Sequence, residues 1–193
     1  MLEDLGINPK IPEGYKKIRV HFVYNVKHDG KYKARLVAGG HLTEVLCYSV
    51  TSSVVSLRGL RIAIFIAELN GLQVWATDVG NAYLEAPAQE KVYIIGGTKF
   101  RDRVGHTMLI RKALYGLRSS GLRWWDRCSE ILVSLGFQAT LAEDDIWIKR
   151  VGIHYGYIVR YVDDLGIVSK DSEGIIKTID RISRTQVEGH GSH

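Results

Sequence analysis

Hydrophobic and polar residues in the first part of the chain alternate in the manner of β-strands. In residues 15–26 apolar and aromatic side chains are mixed with Lys and Arg, and residues 32–38 continue this pattern after a short polar break. The break contains Asp29-Gly30, and Asp-Gly between two such runs is a strong hairpin signal. The pattern therefore predicts a basic β-hairpin with Asp29-Gly30 at its tip.

The next segment has the periodicity of a helix. Ser52 or Ser53 would cap its beginning, because a serine side chain accepts a hydrogen bond from the first free backbone N–H groups. Asn70-Gly71 would close it, since glycine accepts the left-handed conformation that commonly ends a helix. The apolar positions that recur at helical spacing are Val54, Leu57, Leu60, Ile64 and Ala67.

The remaining predicted elements do not alternate regularly between strand and helix. Regular alternation would favour a doubly wound parallel sheet, whereas this order favours an α+β fold with a helix layer on one face of an antiparallel sheet. Predicted strands cover residues 72–78, 91–95, 107–111, 146–149, 155–161 and 165–169, and predicted helices cover residues 122–135 and 172–183.

Composition and charge place few limits on function. The 193 residues include 26 Lys and Arg against 21 Asp and Glu, which gives a formal charge of +5. An excess of cations suits a polyanionic partner, because cationic side chains displace counterions from phosphates. The excess is small, however, and charge alone favours a solvated basic surface.

Neither a zinc site nor a membrane segment is predicted. Cys47 and Cys128 do not form a Cys-x-x-Cys pair. Residues 1–10 lack the charged-then-apolar pattern of a signal peptide, and the longest apolar stretch, residues 62–69, is too short to cross a bilayer. We therefore expect a soluble, intracellular protein with no membrane partner, and residues 189–193 are treated as a tail.

Two acidic clusters follow predicted apolar strands. Asp78 ends the strand of residues 72–78, and Asp163-Asp164 follow the strand of residues 155–161. Carboxylates that are brought together repel one another unless a cation neutralises them, and their hard oxygen atoms suit Mg²⁺. In the alternative interpretation, Asp78 caps the helix that follows it and Asp163-Asp164 form a polar turn.

Four segments carry motifs that resemble one protein family. They are KYKARLVA at residues 31–38, DVGNAY at residues 78–83, KALYGLRSS at residues 112–120 and YVDD at residues 161–164. Together, in this order, they resemble the reverse transcriptases of copia-type LTR retrotransposons, which are RNA-directed DNA polymerases. The resemblance covers roughly residues 17–170.

The resemblance implies the fingers and palm of a right-hand polymerase, with an antiparallel palm sheet packed on helices. Residues 1–70 would form fingers with the basic hairpin and the first helix. Residues 71–188 would form the palm, interrupted by a fingers segment at about residues 96–118. No segment resembles a thumb or an RNase H domain, so a second chain is one way to supply the thumb function.

The resemblance also implies a catalytic centre and its cofactor. Asp78, Asp163 and Asp164 would be the catalytic residues and would bind two Mg²⁺ ions, with Mn²⁺ as a substitute. The backbone carbonyl of Val79 would be a further ligand. The substrates would be deoxynucleoside triphosphates and a primer annealed to an RNA or DNA template.

Further residues would bind the nucleotide or the nucleic acid. Tyr83 would be the steric gate that excludes a 2′-hydroxyl, although an ordinary core tyrosine is the alternative. Gly116 would allow close backbone approach, or is simply a turn glycine, and Lys33 and Arg35 would grip the triphosphate or line a solvated strand. Tyr115 would also bind the nucleotide, and the predicted primer and template contacts are Tyr161, Arg118 and Ser119.

Three functions remain open at this point. The first is template-directed DNA synthesis by an enzyme that resides in cytoplasmic retroelement particles or in the nucleus. The second is a catalytically weak or inactive retroelement remnant that binds nucleic acid. The third is a metal-dependent nuclease, against which the gate-like Tyr83 and the KALYGL motif count.

Overall fold

The structure is a computed structural model that describes residues 1–26, 28, 30–40, 52–80 and 82–188, with side chains as far as residue 180. The chain divides into two compact units. The first comprises Met1–Thr51 and Tyr83–Trp124, and the second comprises Ser52–Ala82 and Trp125–His193. The predicted tail, residues 189–193, and Cys47 lie outside the described residues.

The first unit is built on a four-stranded sheet and a separate hairpin. The sheet has the order β1-β7-β6-β2, in which β2 pairs with β6 in parallel and the other pairs are antiparallel. Its core includes Ile94, Met108 and Ile110. The sheet strands are β1 (Leu2–Ile7), β2 (Lys16–Lys17), β6 (Val92–Ile95) and β7 (His106–Ile110), and the hairpin strands are β3 (Val20–Val26) and β4 (Tyr32–Ala38).

The paired strands of the predicted basic hairpin are confirmed, whereas Asp29 at its predicted tip lies outside the described residues. Val20 pairs with Ala38 at one end of β3 and β4, and Val26 pairs with Tyr32 at the other. Its first strand is shorter than predicted, because Lys16–Lys17 pair with β6 instead. Strand β1 was not predicted, although Leu2, Glu3, Asp4 and Ile7 pair with residues of β7.

The second unit is a five-stranded antiparallel sheet with helices. The sheet order is β5-β11-β10-β9-β8. Helix α4 packs against β11 and β5. The strands are β5 (Gln73–Asp78), β8 (Gln138–Ala139), β9 (Ile146–Val151), β10 (His154–Tyr161) and β11 (Asp164–Ser169). The α-helices within the described residues are α1 (Leu57–Asn70), α2 (Ala82–Glu85), α3 (Ser120–Ser134) and α4 (Ser172–Glu188).

Helices cover both faces of this sheet, so the expectation of a helix layer on one face was wrong. Ala63 and Ala67 of α1 pack with Val159 of β10. The next residue, Arg160, points to the opposite face and contacts Trp125 of α3, because successive side chains of a strand alternate between faces. The mixture of helices and antiparallel strands confirms the α+β class.

Helix α1 begins later than the serines predicted as its cap. Ser56 is the N-cap, and its hydroxyl accepts a hydrogen bond from the Gly59 N–H at 3.0 Å. The residues before it are not helical, and the Val55 N–H donates to the Arg160 carbonyl at 2.9 Å. Gly71 closes the helix in the left-handed conformation, as predicted.

The boundaries of the compact units differ from the predicted fingers and palm boundary at residue 70. Helix α1 was grouped with the fingers, but it belongs to the second unit because its alanines pack on that unit's sheet. The predicted inserted segment, residues 96–118, lies within the first unit. In the described part of the chain, no helix is both long and apolar enough to cross a membrane.

Candidate functional site

The two acidic clusters lie side by side in the sheet of the second unit, where β5 ends and β11 begins. Asp78 is the last residue of β5 and Asp164 is the first residue of β11, and the two are direct partners across the antiparallel pair. Asp164 is also the partner of Tyr161, the last residue of β10. Cross-strand partners share a face of the sheet, so Tyr161, Asp164 and Asp78 form a row on one face.

The turn between β10 and β11 brings Asp163 to the same place. Val162 and Asp163 form the turn, and the Val79 N–H donates to the Asp163 carbonyl at 2.8 Å. This hydrogen bond extends the contact between β5 and the β10–β11 hairpin by one residue beyond Asp78. All three predicted catalytic carboxylates are thereby assembled within one compact unit.

The turn has an unusual backbone. Val162 has a φ of 55°, whereas the φ of Asp163 is not positive. A two-residue hairpin turn with positive φ at its first position ordinarily has glycine there, since a β-branched residue is strained in that region. The turn that presents Asp163 is therefore held in a conformation that valine alone would not favour.

The carboxylates repel one another. Partial loss of water contact and then the negative charges of Asp163 and Asp78 raise the pKa of Asp164 above its ordinary value. Asp78 and Asp164 are exposed and Asp163 is half-buried. The repulsion shows that a cation placed among these groups would be stabilised.

The donor set fits a hard divalent cation by its chemistry, because carboxylate oxygens are the ligands that Mg²⁺ prefers. As the described side chains stand, no group of three His, Cys, Asp or Glu residues is arranged to hold a metal ion. The carbonyl of Val79, predicted as a ligand, accepts a hydrogen bond from the Ala82 N–H at 3.1 Å.

Of the residues predicted to bind the nucleotide, three in the first unit form a contact chain, and Val79 lies in the second unit. The ring of Tyr83 meets the ring of Tyr115 edge-on, with centroids 4.6 Å apart. The guanidinium carbon of Arg35 lies 5.4 Å from the centroid of the Tyr115 ring. Arg35 and Lys33 are alternate residues of β4 and so share one face of the hairpin, and both are half-buried.

Gly116 is required by the packing of the first unit itself. Its φ is +90°, and a Cβ placed on it would lie 2.0 Å from the Ala38 carbonyl oxygen. The adjacent contact is a hydrogen bond from the Ala38 N–H to the Tyr115 carbonyl at 2.7 Å. The KALYGL segment therefore docks directly on the end of β4, which explains why glycine stands there.

The predicted template contacts are placed differently from one another. Tyr161 is 56% exposed, and Arg118 Nε donates to the Gly40 carbonyl at 3.3 Å. Ser119 is completely buried, and both its N–H and its hydroxyl donate to the carboxylate of Glu90, at 2.9 and 2.6 Å. The hydroxyl of Ser119 is thus engaged inside the unit.

Three buried charged side chains, Glu90, Asp145 and Arg160, were not predicted. Glu90 accepts a hydrogen bond from the Ser119 N–H. Arg160 pairs with Asp145 directly before the turn between β10 and β11. A charged residue inside the apolar run of residues 158–162 was a visible signal for Arg160, but its partner could not be identified without the fold.

Comparison with known proteins agrees with the motifs. The family model described as reverse transcriptase (RNA-dependent DNA polymerase) matches residues 8–186. The chain is 31% identical over 165 residues to the retrovirus-related Pol polyprotein from transposon RE1 of Arabidopsis thaliana, and 30% identical over 165 residues to that from transposon RE2. It is 26% identical over 186 residues to that from transposon TNT 1-94 of Nicotiana tabacum.

The chain belongs to the reverse transcriptase family, and the resemblance to the copia-type retrotransposon enzymes is confirmed. The matches cover 83% of this chain for RE1 and RE2 and 91% for TNT 1-94. The chain spans only 11% of the length of the RE1 and RE2 polyproteins and 14% of the TNT 1-94 polyprotein.

Proposed function

We propose that this chain is the fingers-and-palm part of a right-hand polymerase and catalyses template-directed DNA synthesis. The observation that carries the proposal is the register of Asp78 opposite Asp164, with Asp163 in the adjoining turn. The family match over residues 8–186 supports the same conclusion.

Asp78, Asp163 and Asp164 would hold the metal ions, with the Val79 carbonyl as a further ligand. Bound Mg²⁺, or Mn²⁺ in its place, would activate the primer 3′-hydroxyl and stabilise the charge of the departing pyrophosphate. The protein's own contribution is to keep three carboxylates at one sheet edge despite their repulsion. Strands β5, β10 and β11 do this through backbone pairing.

The first unit would bind the incoming deoxynucleoside triphosphate. Arg35 and Lys33 would contact the phosphates, since a guanidinium pairs well with phosphate oxygens. Tyr83, braced by the ring of Tyr115, would exclude a 2′-hydroxyl. Gly116 would keep the backbone beside these residues free of a side chain.

Three further residues would contact the primer or the template. Tyr161 is exposed beside the carboxylates in the sheet row and would pack near the primer end. Arg118 would contact a template phosphate, and Ser119 would act by fixing the backbone beside it through Glu90. The protein would work in cytoplasmic retroelement particles or in the nucleus.

A retroelement remnant that binds nucleic acid without catalysis is the competing function. Primer extension on an annealed RNA template, with the four deoxynucleoside triphosphates and Mg²⁺, separates the two. We expect extension that stops when EDTA removes Mg²⁺ and returns with Mn²⁺. Template–primer binding without any extension in either metal would favour the remnant.

A further inference from the structure

Arg160 is a charged residue inside an apolar strand, and it is almost completely enclosed. It follows Ile158 and Val159 in β10, and its side chain is 1% exposed. A buried guanidinium is unfavourable unless it is paired and hydrogen-bonded. The residues that pair with this guanidinium therefore indicate its structural role.

Its partner is Asp145, whose side chain is also 1% exposed. Arg160 Nε donates to Asp145 Oδ1 at 2.8 Å, and Nη2 lies 2.7 Å from the same oxygen. The Arg160 N–H also donates to the Asp145 carbonyl at 2.9 Å. The residue before β9 is thus joined to the end of β10 through both the side chains and the backbone.

Helix α3 closes the other side of the guanidinium. Arg160 Nη1 donates to the Trp125 carbonyl and to the Ser129 hydroxyl, each at 3.0 Å. The guanidinium carbon lies 4.5 Å from the centroid of the Trp125 ring, and Trp125 Nε1 donates to Asp145 Oδ1 at 3.1 Å. We call Arg160, Asp145, Trp125 and Ser129 the Arg160 cluster.

The Arg160 cluster is a poor arrangement for stability alone. Asp145 Oδ2 is buried without a hydrogen-bond partner, and Arg160 Nη2 makes no hydrogen bond of good geometry despite its closeness to Oδ1. Apolar side chains of similar size often replace a buried ion pair with no loss of stability. The ionic cluster therefore differs from an apolar one mainly in the fixed geometry of its hydrogen bonds.

That geometry is imposed two residues before the strained turn. Val162 has positive φ, and such a conformation persists only where the flanking structure determines it. On one side the turn is held by β11 and β5, through the Val79 N–H bond to the Asp163 carbonyl. On the other side it is held by β10, which the Arg160 cluster fastens to α3.

We propose that the Arg160 cluster is a positioning device that holds the β10–β11 hairpin so that Asp163 and Asp164 stay in place opposite Asp78. Its consequence for catalysis rests on the polymerase function proposed above. Arg160 is a positioning residue and touches no substrate. Its loss should slow nucleotide addition without weakening the binding of template–primer.

The test compares variants that remove the cluster but keep a folded core. In the double variant Arg160→Met, Asp145→Leu both charges are replaced by apolar groups of similar size, so that no charge is left unpaired. Leu132→Ala is the matched control, because Leu132 is a fully buried residue of α3 outside the cluster. We expect it to lower stability while leaving the four side chains of the Arg160 cluster in place.

Two readouts are measured on each folded variant. The first is hydrogen exchange of the Val79 amide, which reports the contact between β5 and the turn, with the Leu72 amide, which donates to the Ala67 carbonyl at 2.9 Å, as an internal reference. The second is the single-turnover rate of nucleotide addition, together with the Mg²⁺ concentration for half-maximal rate and the affinity for template–primer.

We expect the double variant to exchange the Val79 amide at least about tenfold faster than the native chain, relative to Leu72. Nucleotide addition should slow at least about tenfold with a higher Mg²⁺ requirement and unchanged affinity for template–primer. A folded double variant with native Val79 exchange and a native rate would overturn the proposal.

Two further outcomes are informative. Faster Val79 exchange in a chain whose native form never extends a primer would support positioning of the hairpin and would refute the polymerase function. If the double variant does not fold, Arg160→Lys decides: it keeps a cation beside Asp145 but loses the fork to Trp125 and Ser129. Native exchange and rate in Arg160→Lys would overturn the proposal, whereas intermediate values would support it.

Discussion

Asp78 and Asp164 lie directly opposite each other in adjacent antiparallel strands, and both side chains are exposed on the same face. Like charges in this arrangement destabilise a sheet. The charges of Asp163 and Asp78, together with partial loss of water contact, raise the pKa of Asp164. The repulsion among these carboxylates is therefore unfavourable, and a cation bound between them would neutralise it.

Removal of one charge should stabilise the chain at neutral pH. Because the pKa of Asp164 is raised in the folded state, folding favours its protonated form, and stability is lost as pH rises through that raised pKa. We expect Asp164→Asn to raise the Tm by up to ~3 °C at pH 7, since exposed charge pairs contribute less than about 1 kcal/mol and about 1 kcal/mol moves the Tm of a chain of this size by about 2–4 °C.

The gain in Tm should disappear below pH 3.8, the ordinary pKa of this carboxyl. Residue 164 is then uncharged in the native chain as well as in the Asp164→Asn variant. Thermal melts of the native chain, Asp164→Asn and Asp180→Asn across pH 3–8 measure it. Asp180 is an exposed residue of α4, so its variant controls for the loss of one negative charge. Equal Tm values for Asp164→Asn and the native chain at pH 7 would show that the three carboxylates do not repel one another.

Sugar selection should depend on Tyr83. Its ring is fixed against Tyr115, and a rigid ring can exclude a 2′-hydroxyl, the group that distinguishes ribonucleotides from deoxyribonucleotides. We expect Tyr83→Ala to increase the ratio of ribonucleotide to deoxyribonucleotide incorporation at least about tenfold. Steady-state incorporation of one matched nucleotide of each kind measures this ratio.

Tyr32→Ala is the control for this experiment, because Tyr32 is a tyrosine of the same unit that is 92% exposed. It should leave the ratio unchanged. If Tyr83→Ala also leaves the ratio unchanged, Tyr83 is an ordinary packing residue and the steric-gate assignment is rejected.

Ser119 should matter for stability rather than for direct contact with nucleic acid. Its hydroxyl donates to Glu90 inside the first unit, and Ser119→Ala leaves one carboxylate oxygen without that donor. We expect a loss of about 1–3 kcal/mol in the free energy of unfolding, measured by urea denaturation. Ser134→Ala removes the hydroxyl of an exposed residue, which donates only to the Ile131 carbonyl of its own helix, and it should have a much smaller effect.

Template–primer affinity of folded Ser119→Ala should equal that of the native chain. A variant with native stability and weaker template binding would instead show that the Ser119 hydroxyl touches the nucleic acid. The experiment thereby separates the first assignment of Ser119, as a template contact, from the structural role that its contact with Glu90 indicates.

Local patterns in the sequence predicted most strands and helices. The hairpin of β3 and β4 and the Gly71 helix end follow from local residue preferences, which neighbours far along the chain do not change. The N-cap of α1 was assigned to the wrong serines, because Ser52, Ser53 and Ser56 are chemically alike. Ser56 is selected by two long-range contacts, the bond from Val55 to Arg160 and its own bonds to Glu143.

The site shows the same limit. Asp78, Asp163 and Asp164 could be named from the sequence, because each follows an apolar strand within a motif. The direct opposition of Asp78 and Asp164 depends on strand order and register, which no local pattern contains. The pairing of Arg160 with Asp145 was missed for a related reason: the two are brought together only by the antiparallel pairing of β9 with β10.

The most direct test of the central claim is primer extension by the Asp163→Asn variant beside the native chain and Asp180→Asn. The substitution keeps the shape of the side chain but removes one negative charge from the proposed metal ligands. We expect extension by the native chain and Asp180→Asn, and a loss of at least about 100-fold in Asp163→Asn, which corresponds to about 2.7 kcal/mol of transition-state stabilisation. Near-native extension by a folded Asp163→Asn variant would contradict the assignment of these carboxylates as the catalytic centre.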